Sequence, residues 1–164
     1  MALLESAGAI LVLIVAIILG KKIRHENVYS TAEGIPRNYF DAAICNLVVC
    51  IVPEGEVVNI ARNLRGVLKP EGAAYVGFCN PLIFDVHESA LDFRFPTGQP
   101  YSKNHKYKKL KKEGNYEIVE DHRPIEWYEN AFGQAGFKSR LFFTPEYELN
   151  SRKINDFVIF ELRK

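Results

Sequence analysis

The sequence predicts an α/β fold whose sheet is mostly parallel and ends in an antiparallel pair of C-terminal strands. Between residues 42 and 78, a buried strand, an amphipathic helix and a second buried strand follow one another with short connections, which is the pattern of a parallel βαβ unit. Two later strand patterns, at 138–143 and 154–162, are separated by a short polar segment. They therefore predict an antiparallel pair at the edge of the sheet.

The composition is that of one globular domain. The chain has 164 residues, of which 48% are apolar and 25% charged, and its net charge is +1. These values exclude a disordered chain and a strongly basic nucleic-acid binder, although a local basic patch stays open. The 3 cysteines are too few, and odd in number, for a disulfide scaffold. Neither the cysteines nor the scattered histidines have the spacing of a metal site, so no metal is expected.

The N-terminal segment differs from the rest of the chain. Residues 7–20 carry no charged or strongly polar side chain, and Lys21, Lys22 and Arg24 follow them. The run is shorter than the ~20 residues that a spanning helix needs. Three interpretations remain open: a buried strand or helix, a membrane anchor with its basic flank in the cytoplasm, and a cleaved signal peptide, which the lack of a basic residue before the run disfavours. We therefore divide the chain into an apolar segment, 1–22, and a domain, 23–164.

The first elements of the domain are defined by apolar runs and one helical stripe. Val28–Ser30 predicts a short strand, and the apolar run Ala42–Cys45 is typical of a strand buried on both faces. Glu54–Leu68 predicts a helix, because its apolar residues recur every three to four positions. Pro70 and Gly72 end this helix, and the next buried strand is predicted at residues 73–78.

The second half begins with a long segment of no regular period. Asn80–Glu113 contains prolines and a lysine-rich run, and we expect a long functional loop there. Tyr116–Val119 predicts a short strand. Pro124 suits the first turn of a helix, and Gly136 is placed to end that helix.

Four stretches of this pattern resemble class I S-adenosylmethionine-dependent methyltransferases of the small-molecule type. They are ENVYSTAEGIP (26–36), NYFDAAICNLVVCIVP (38–53), IARNLRGVLKPEGAAYVGF (60–78) and HRPIEWYENAFGQAGF (122–137). In order and spacing they are similar to the third to fifth strands of that family, with their connections, and to its late helix. The resemblance covers the chain from residue 26 to 164 and implies a Rossmann-like methyltransferase sheet that is incomplete at its N-terminus.

The resemblance also implies where S-adenosylmethionine would bind. Thr31, Ala32 and Glu33 match the loop that passes the adenine, whereas Asn46 and Leu47 match the strand end beside the methionine part and the methyl group. The family usually has an acidic residue where this chain has Thr31. A hydroxyl group is a weaker hydrogen-bond acceptor than a carboxylate.

The resemblance places three further residues on the substrate side. His122 is the candidate catalytic residue, acting as a base or orienting the methyl acceptor; a capping or packing role is the alternative. Arg123 and Tyr128 are the candidate substrate contacts. The expected acceptor is a small molecule of unspecified class.

One family motif is missing. The chain contains no acidic-x-Gly-x-Gly-x-Gly loop, which lets the backbone approach the cofactor, and no acidic residue where the ribose would bind. Three explanations are open: a piece of a longer methyltransferase, an exchange of the first strands for a membrane anchor, or a degenerate copy that no longer methylates.

The sequence therefore leaves more than one function open. The first hypothesis is methyl transfer to a small molecule by a cytoplasmic protein, with a membrane-anchored form as the alternative. The second is a non-catalytic, methyltransferase-like binding or partner subunit. The third is RNA binding through the basic segment Lys103–Lys112, with Tyr101 and Tyr107 available for stacking.

Overall fold

The computed structural model describes residues 13–15, 25–27, 35–83, 93–94, 100–111, 117–149 and 152–164. Two helices, α1 and α2, and strands β1 to β11 lie in these ranges. In chain order they are β1 (Leu13–Val15), β2 (His25–Asn27), β3 (Phe40–Asn46), α1 (Glu54–Val67), β4 (Leu68–Cys79), β5 (Phe93–Arg94), β6 (His105–Lys111), β7 (Glu117–His122), α2 (Ile125–Gln134), β8 (Lys138–Phe143), β9 (Tyr147–Leu149), β10 (Arg152–Ile154) and β11 (Phe157–Arg163).

The central sheet has the strand order β3-β4-β11-β8. Strands β3 and β4 are parallel, and β11 runs antiparallel to both β4 and β8. This arrangement confirms the predicted α/β class and the predicted antiparallel C-terminal pair. The βαβ unit brings the carboxyl ends of β3 and β4 to the same edge of the sheet.

Helix α1 forms where the apolar stripe predicts it. Its buried side chains are spaced three to four residues apart, so they share one face; they are Val57, Ile60, Ala61, Leu64 and Val67. The following strand starts earlier than predicted, because β4 already pairs at Leu68 with Phe40. The register then jumps to Ala73 opposite Ala42, so the predicted Pro-Gly turn is a bulge inside β4 rather than a linker before it.

Helix α2 begins directly after Pro124 and ends in a Schellman motif at Gly136. The N–H of Gly136 donates to the carbonyl of Gly133, and the N–H of Phe137 donates to that of Phe132. Gly136 has φ +87°, a conformation that only glycine adopts readily. The predicted end of this helix is confirmed.

The hydrophobic core lies between the sheet and the two helices. Phe160 of β11 stacks on Phe78 of β4, with ring centroids 5.9 Å apart, and meets Phe132 of α2 edge-on at 5.2 Å. All three rings are almost fully buried. Their packing fixes α2, and therefore the chain just before it, against the carboxyl end of β4.

The lysine-rich segment is a strand, so the prediction of a continuous loop over 80–113 is wrong at β6. Strands β6 and β7 form an antiparallel hairpin, with β5 beside β6. Lys106 and Lys108 point to solvent, whereas His105 and Tyr107 are partly buried. This alternation has the period of a strand, but lysines fill its exposed positions. The predicted strand 116–119 corresponds to β7; Lys112 and Tyr116 lie outside the described residues.

The N-terminal segment is described only at β1 and β2, which pair antiparallel. Strand β1 falls inside the apolar run 7–20 and contacts β3. The predicted strand at 28–30 and the remainder of the apolar run lie outside the described residues. Among the helices that the structure describes, none is long and apolar enough to cross a membrane.

Candidate functional site

The site is built around the turn that follows β3. Asn46 is the last residue of β3 and pairs with Gly77 of β4. Leu47 has φ +58° and donates its N–H to the carbonyl of Gly77 over 2.8 Å. A Cβ at position 77 would lie only 2.8 Å from the Asn46 Oδ1. The Asn46 amide therefore lies directly over Gly77, where a side chain would clash with it. Asn46 and Leu47 are both exposed at the strand end, where an open α/β sheet binds its ligands.

Arg123 lies beneath this turn rather than on the surface. Its side chain is 1% exposed. Its Nη1 donates to the carbonyl of Val49 over 2.9 Å, and its Nη2 donates to that of Val52 over 2.6 Å. Nη2 also lies 3.4 Å from the Asp121 carboxylate, and the guanidinium stacks over Trp127 at 4.9 Å. Arg123 therefore joins the start of α2 to the turn after β3.

Tyr128 is buried on the inner face of α2. Its ring lies 4.3 Å from that of Phe78 and 5.2 Å from that of Trp127. Burial raises the pKa of the Tyr128 hydroxyl, while the charge of Arg123 acts in the opposite direction. Because burial has the larger effect, the pKa of the Tyr128 hydroxyl is raised overall.

His122 is the residue before Arg123, and its ring is 3% exposed. Its Nε2 lies 2.8 Å from the carbonyl oxygen of Tyr101. A carbonyl oxygen only accepts a hydrogen bond, so Nε2 carries a hydrogen in this contact. The His105 ring lies 4.8 Å away, with its Nδ1 directed at the carbonyl of Lys103. His122 is therefore held by the segment before β6 and lies against a second histidine ring.

Tyr101 joins the segment before β6 to the first turn of α2. Its hydroxyl oxygen accepts the N–H of Ile125 over 2.9 Å and donates to the Glu126 carboxylate over 3.0 Å. Tyr101 therefore caps α2 with its side chain while its carbonyl holds His122. In the sequence, Tyr101 is an isolated tyrosine in a polar segment, and nothing there indicated that it caps a helix.

A tyrosine–carboxyl pair stands beside His122, and the sequence did not reveal it. The Tyr107 hydroxyl donates to Glu120 Oε2 over 2.7 Å, and Glu120 is 4% exposed. Burial raises the pKa of the Tyr107 hydroxyl, and the charge of Glu120 raises it further. Tyr107 therefore stays a hydrogen-bond donor to Glu120. The partners face each other across the hairpin of β6 and β7.

These groups meet in a small pocket at the carboxyl end of β4. Its cavity volume of about 10 Å³ is close to what one water molecule needs. The lining residues are Cys50, Phe78, Cys79, Asn80, Pro81, Tyr107, Glu120, Asp121, His122, Arg123 and Tyr128. The pocket thus brings together the three residues predicted for the substrate side and adds Tyr107 and Glu120.

The residues predicted for the cofactor side lie elsewhere or outside the description. Asn46 and Leu47 lie at the end of β3 and do not line the pocket. Thr31, Ala32 and Glu33 fall outside the described residues. Over the described ranges, no group of three His, Cys, Asp or Glu side chains is arranged to hold a metal ion.

Solved structures with a similar fold include S-adenosylmethionine-dependent methyltransferases. One from Listeria monocytogenes has a TM-score of 0.59 at 12% identity and matches 85% of this chain and 68% of its own. One from Methanosarcina mazei has a TM-score of 0.56 at 16% identity, with coverages of 83% and 65%. One from Leishmania major has a TM-score of 0.52 at 12% identity, with coverages of 83% and 43%.

The chain therefore has the Rossmann-like fold of the S-adenosylmethionine-dependent methyltransferases, as the sequence resemblance implied. It spans 43% to 68% of the length of these three structures. No known family profile matches the sequence, and no curated protein does.

Proposed function

We propose that the chain takes part in methyl transfer from S-adenosylmethionine to a small molecule. The observation that carries the proposal is the position of Asn46 and Leu47, exposed at the carboxyl end of β3 in a sheet of methyltransferase fold. The amide of Asn46 offers a donor and an acceptor, and Leu47 offers an apolar contact, so this strand end suits the amino-acid part of the cofactor. Thr31, Ala32 and Glu33 are proposed for the adenine side on the resemblance alone.

The methyl acceptor would bind on the side of β4 and α2. When bound, the cofactor would supply the activated methyl group. The protein would hold the acceptor, exclude water and take up a proton, for which His122, which lines the pocket, is the proposed group. We assign Arg123 and Tyr128 to the substrate side as positioning residues, since Arg123 holds the turn beneath the site and Tyr128 lines the pocket.

Calorimetric titration with S-adenosylhomocysteine tests cofactor use. We expect saturable binding by the natural chain and an affinity about tenfold lower in Asn46→Ala, because one or two polar contacts are lost. Asn130→Ala, an exposed asparagine on α2, is the matched control and keeps the natural affinity. No heat of binding at millimolar ligand would remove cofactor use from this proposal while leaving the fold untouched.

The basic strand does not favour RNA binding as a second function. Lys108 lies 2.7 Å from Glu117, and Lys106 lies 3.8 Å from Asp121. These carboxylates offset the two lysine charges where a phosphate would bind.

A further inference from the structure

We propose that residues 100–104 form a strap that closes over His122 and opens to admit the methyl acceptor. The proposal rests on the function proposed above, because it says how access to the same site is controlled. It depends on three observations: this segment covers His122, it is attached to both helices, and its attachments are polar contacts at the surface.

The strap covers the group that is proposed to take up a proton. His122 lines the pocket, yet its side chain is only 3% exposed. The carbonyl oxygen of Tyr101 lies 2.8 Å from His122 Nε2, and the Tyr101 ring meets the histidine ring edge-on at 5.8 Å. While Tyr101 stays in place, this ring nitrogen is occupied and its side of the ring is covered.

Two side chains attach the strap to the first turns of the two helices. The Tyr101 hydroxyl accepts the N–H of Ile125 over 2.9 Å and donates to Glu126 over 3.0 Å at the start of α2. Asn104 donates to the carboxylate of Glu54, the first residue of α1, over 2.7 Å. The strap therefore spans the N-terminal ends of both helices.

These attachments are easier to release than the elements that they join. The strap residues are exposed except for Tyr101, which is half-buried. The bonds to Glu54 and Glu126 are also exposed, and such hydrogen bonds contribute little net stability because water replaces them readily. Both helices, in contrast, bury one face in the core. A segment with few buried contacts opens locally while the core stays folded.

Amide hydrogen exchange followed by nuclear magnetic resonance tests the strap on the full chain. Because the Ile125 N–H is bonded to the Tyr101 hydroxyl, its exchange reports opening of the strap. The N–H of Phe132, in the interior of α2, reports unfolding of the helix. At low urea we expect exchange at Ile125 to be independent of urea and exchange at Phe132 to rise with it. An equal dependence on urea at the two amides would overturn the proposal.

A substitution at the other end of the strap tests whether the segment opens as one unit. Asn104→Ala removes the contact with α1 and should raise the exchange rate of Ile125, on α2, about fivefold, the effect of losing one hydrogen bond. Asn130→Ala, an exposed substitution on α2 itself, is the matched control and should leave the rate unchanged. An unchanged rate in a folded Asn104→Ala protein contradicts the proposal; if that variant does not fold, the urea dependence in the natural chain decides.

Modification of His122 by diethyl pyrocarbonate, located by mass spectrometry of peptides, tests whether the strap controls access. We expect slow modification in the natural chain and a rate about fivefold higher in Asn104→Ala, in step with the exchange of Ile125. Asn130→Ala should keep the natural rate. Faster exchange at Ile125 with unchanged modification of His122 would show that the strap opens without exposing the site, and would overturn its role in access.

These outcomes are distinct from cofactor binding. Binding of S-adenosylhomocysteine without local opening at Ile125 would keep the proposed function and remove the strap. Local opening that exposes His122, without cofactor binding, would keep the strap as a cover of His122 and remove the proposed function.

Discussion

Arg123 is the clearest case of a residue whose geometry decides its role. Its two terminal nitrogens donate to the carbonyls of Val49 and Val52, and its side chain is almost fully buried. A guanidinium group reaches two acceptors at a fixed angle, whereas a lysine ammonium group has no such planar fork. The sequence resemblance predicted Arg123 for the substrate side, but nothing in the sequence indicated that the turn after β3 depends on it.

We predict that Arg123→Lys lowers the free energy of unfolding by about 2–3 kcal/mol, since at least one buried carbonyl loses its partner. Urea unfolding at neutral pH measures the change. Arg140→Lys is the matched control, because Arg140 is exposed and lies over Phe142. Equal losses in the two variants would show that the fork at Arg123 has no special stabilising role.

Residue-level prediction grouped side chains that are close in the sequence and missed pairs that form across strands. His122 and Tyr128 were predicted near the substrate side, and both line the pocket. Glu120 was missed because its partner, Tyr107, is 13 positions away and only the pairing of β6 with β7 brings them together. The alternation of His105 and Tyr107 with lysines was the available signal, and it indicates a strand.

At the scale of elements, both helices and β11 followed from apolar periodicity, because each buries one face against the same core. Strand β8 was also predicted from its alternation, although only its Leu141 packs against that core. Strand β6 was not predicted, because its exposed face carries lysines and its inner face carries polar aromatic side chains. The bulge in β4 was also missed, since Pro70 and Gly72 indicate a turn equally well before a strand or within one. Its register is set by pairing with β3.

Two glycine-to-alanine substitutions near the end of α2 should have opposite effects on the stability of the protein. Gly136→Ala should destabilise the protein by about 1–2 kcal/mol, because an L side chain is strained at positive φ. The added Cβ would also lie 3.0 Å from the Arg65 Nε. Gly133→Ala, three residues earlier, meets nothing within 4 Å and should stabilise the helix by about 0.5–1 kcal/mol. Thermal unfolding of both variants checks the pair, and a stabilising Gly136→Ala would contradict the assigned Schellman motif.

At the scale of the whole molecule, one thiol and two tyrosine hydroxyls that burial affects lie on three separate elements. Cys45 lies on β3, Tyr107 on β6 and Tyr128 on α2. Burial raises the pKa of the Cys45 thiol from 9.0 to about 12 and raises those of both tyrosine hydroxyls. The folded chain therefore keeps these protons to a higher pH than the unfolded chain does. This difference makes the stability of the domain depend on pH in the alkaline range.

The sign of this coupling gives the last prediction. Above pH 9 the unfolded chain loses the Cys45 proton while the folded chain keeps it until about pH 12, so stability is full below pH 9 and falls as the pH rises. One proton changes the free energy of unfolding by up to ~1.4 kcal/mol per pH unit. Between pH 9 and 10, where the thiol titrates before the tyrosines, Cys45→Ala should show a shallower fall than the natural chain in urea unfolding. Val49→Ala, which removes buried volume without a titratable group, should lower stability at every pH and keep the natural slope; an unchanged slope in Cys45→Ala would mean that the thiol is not the group that couples folding to pH in this range.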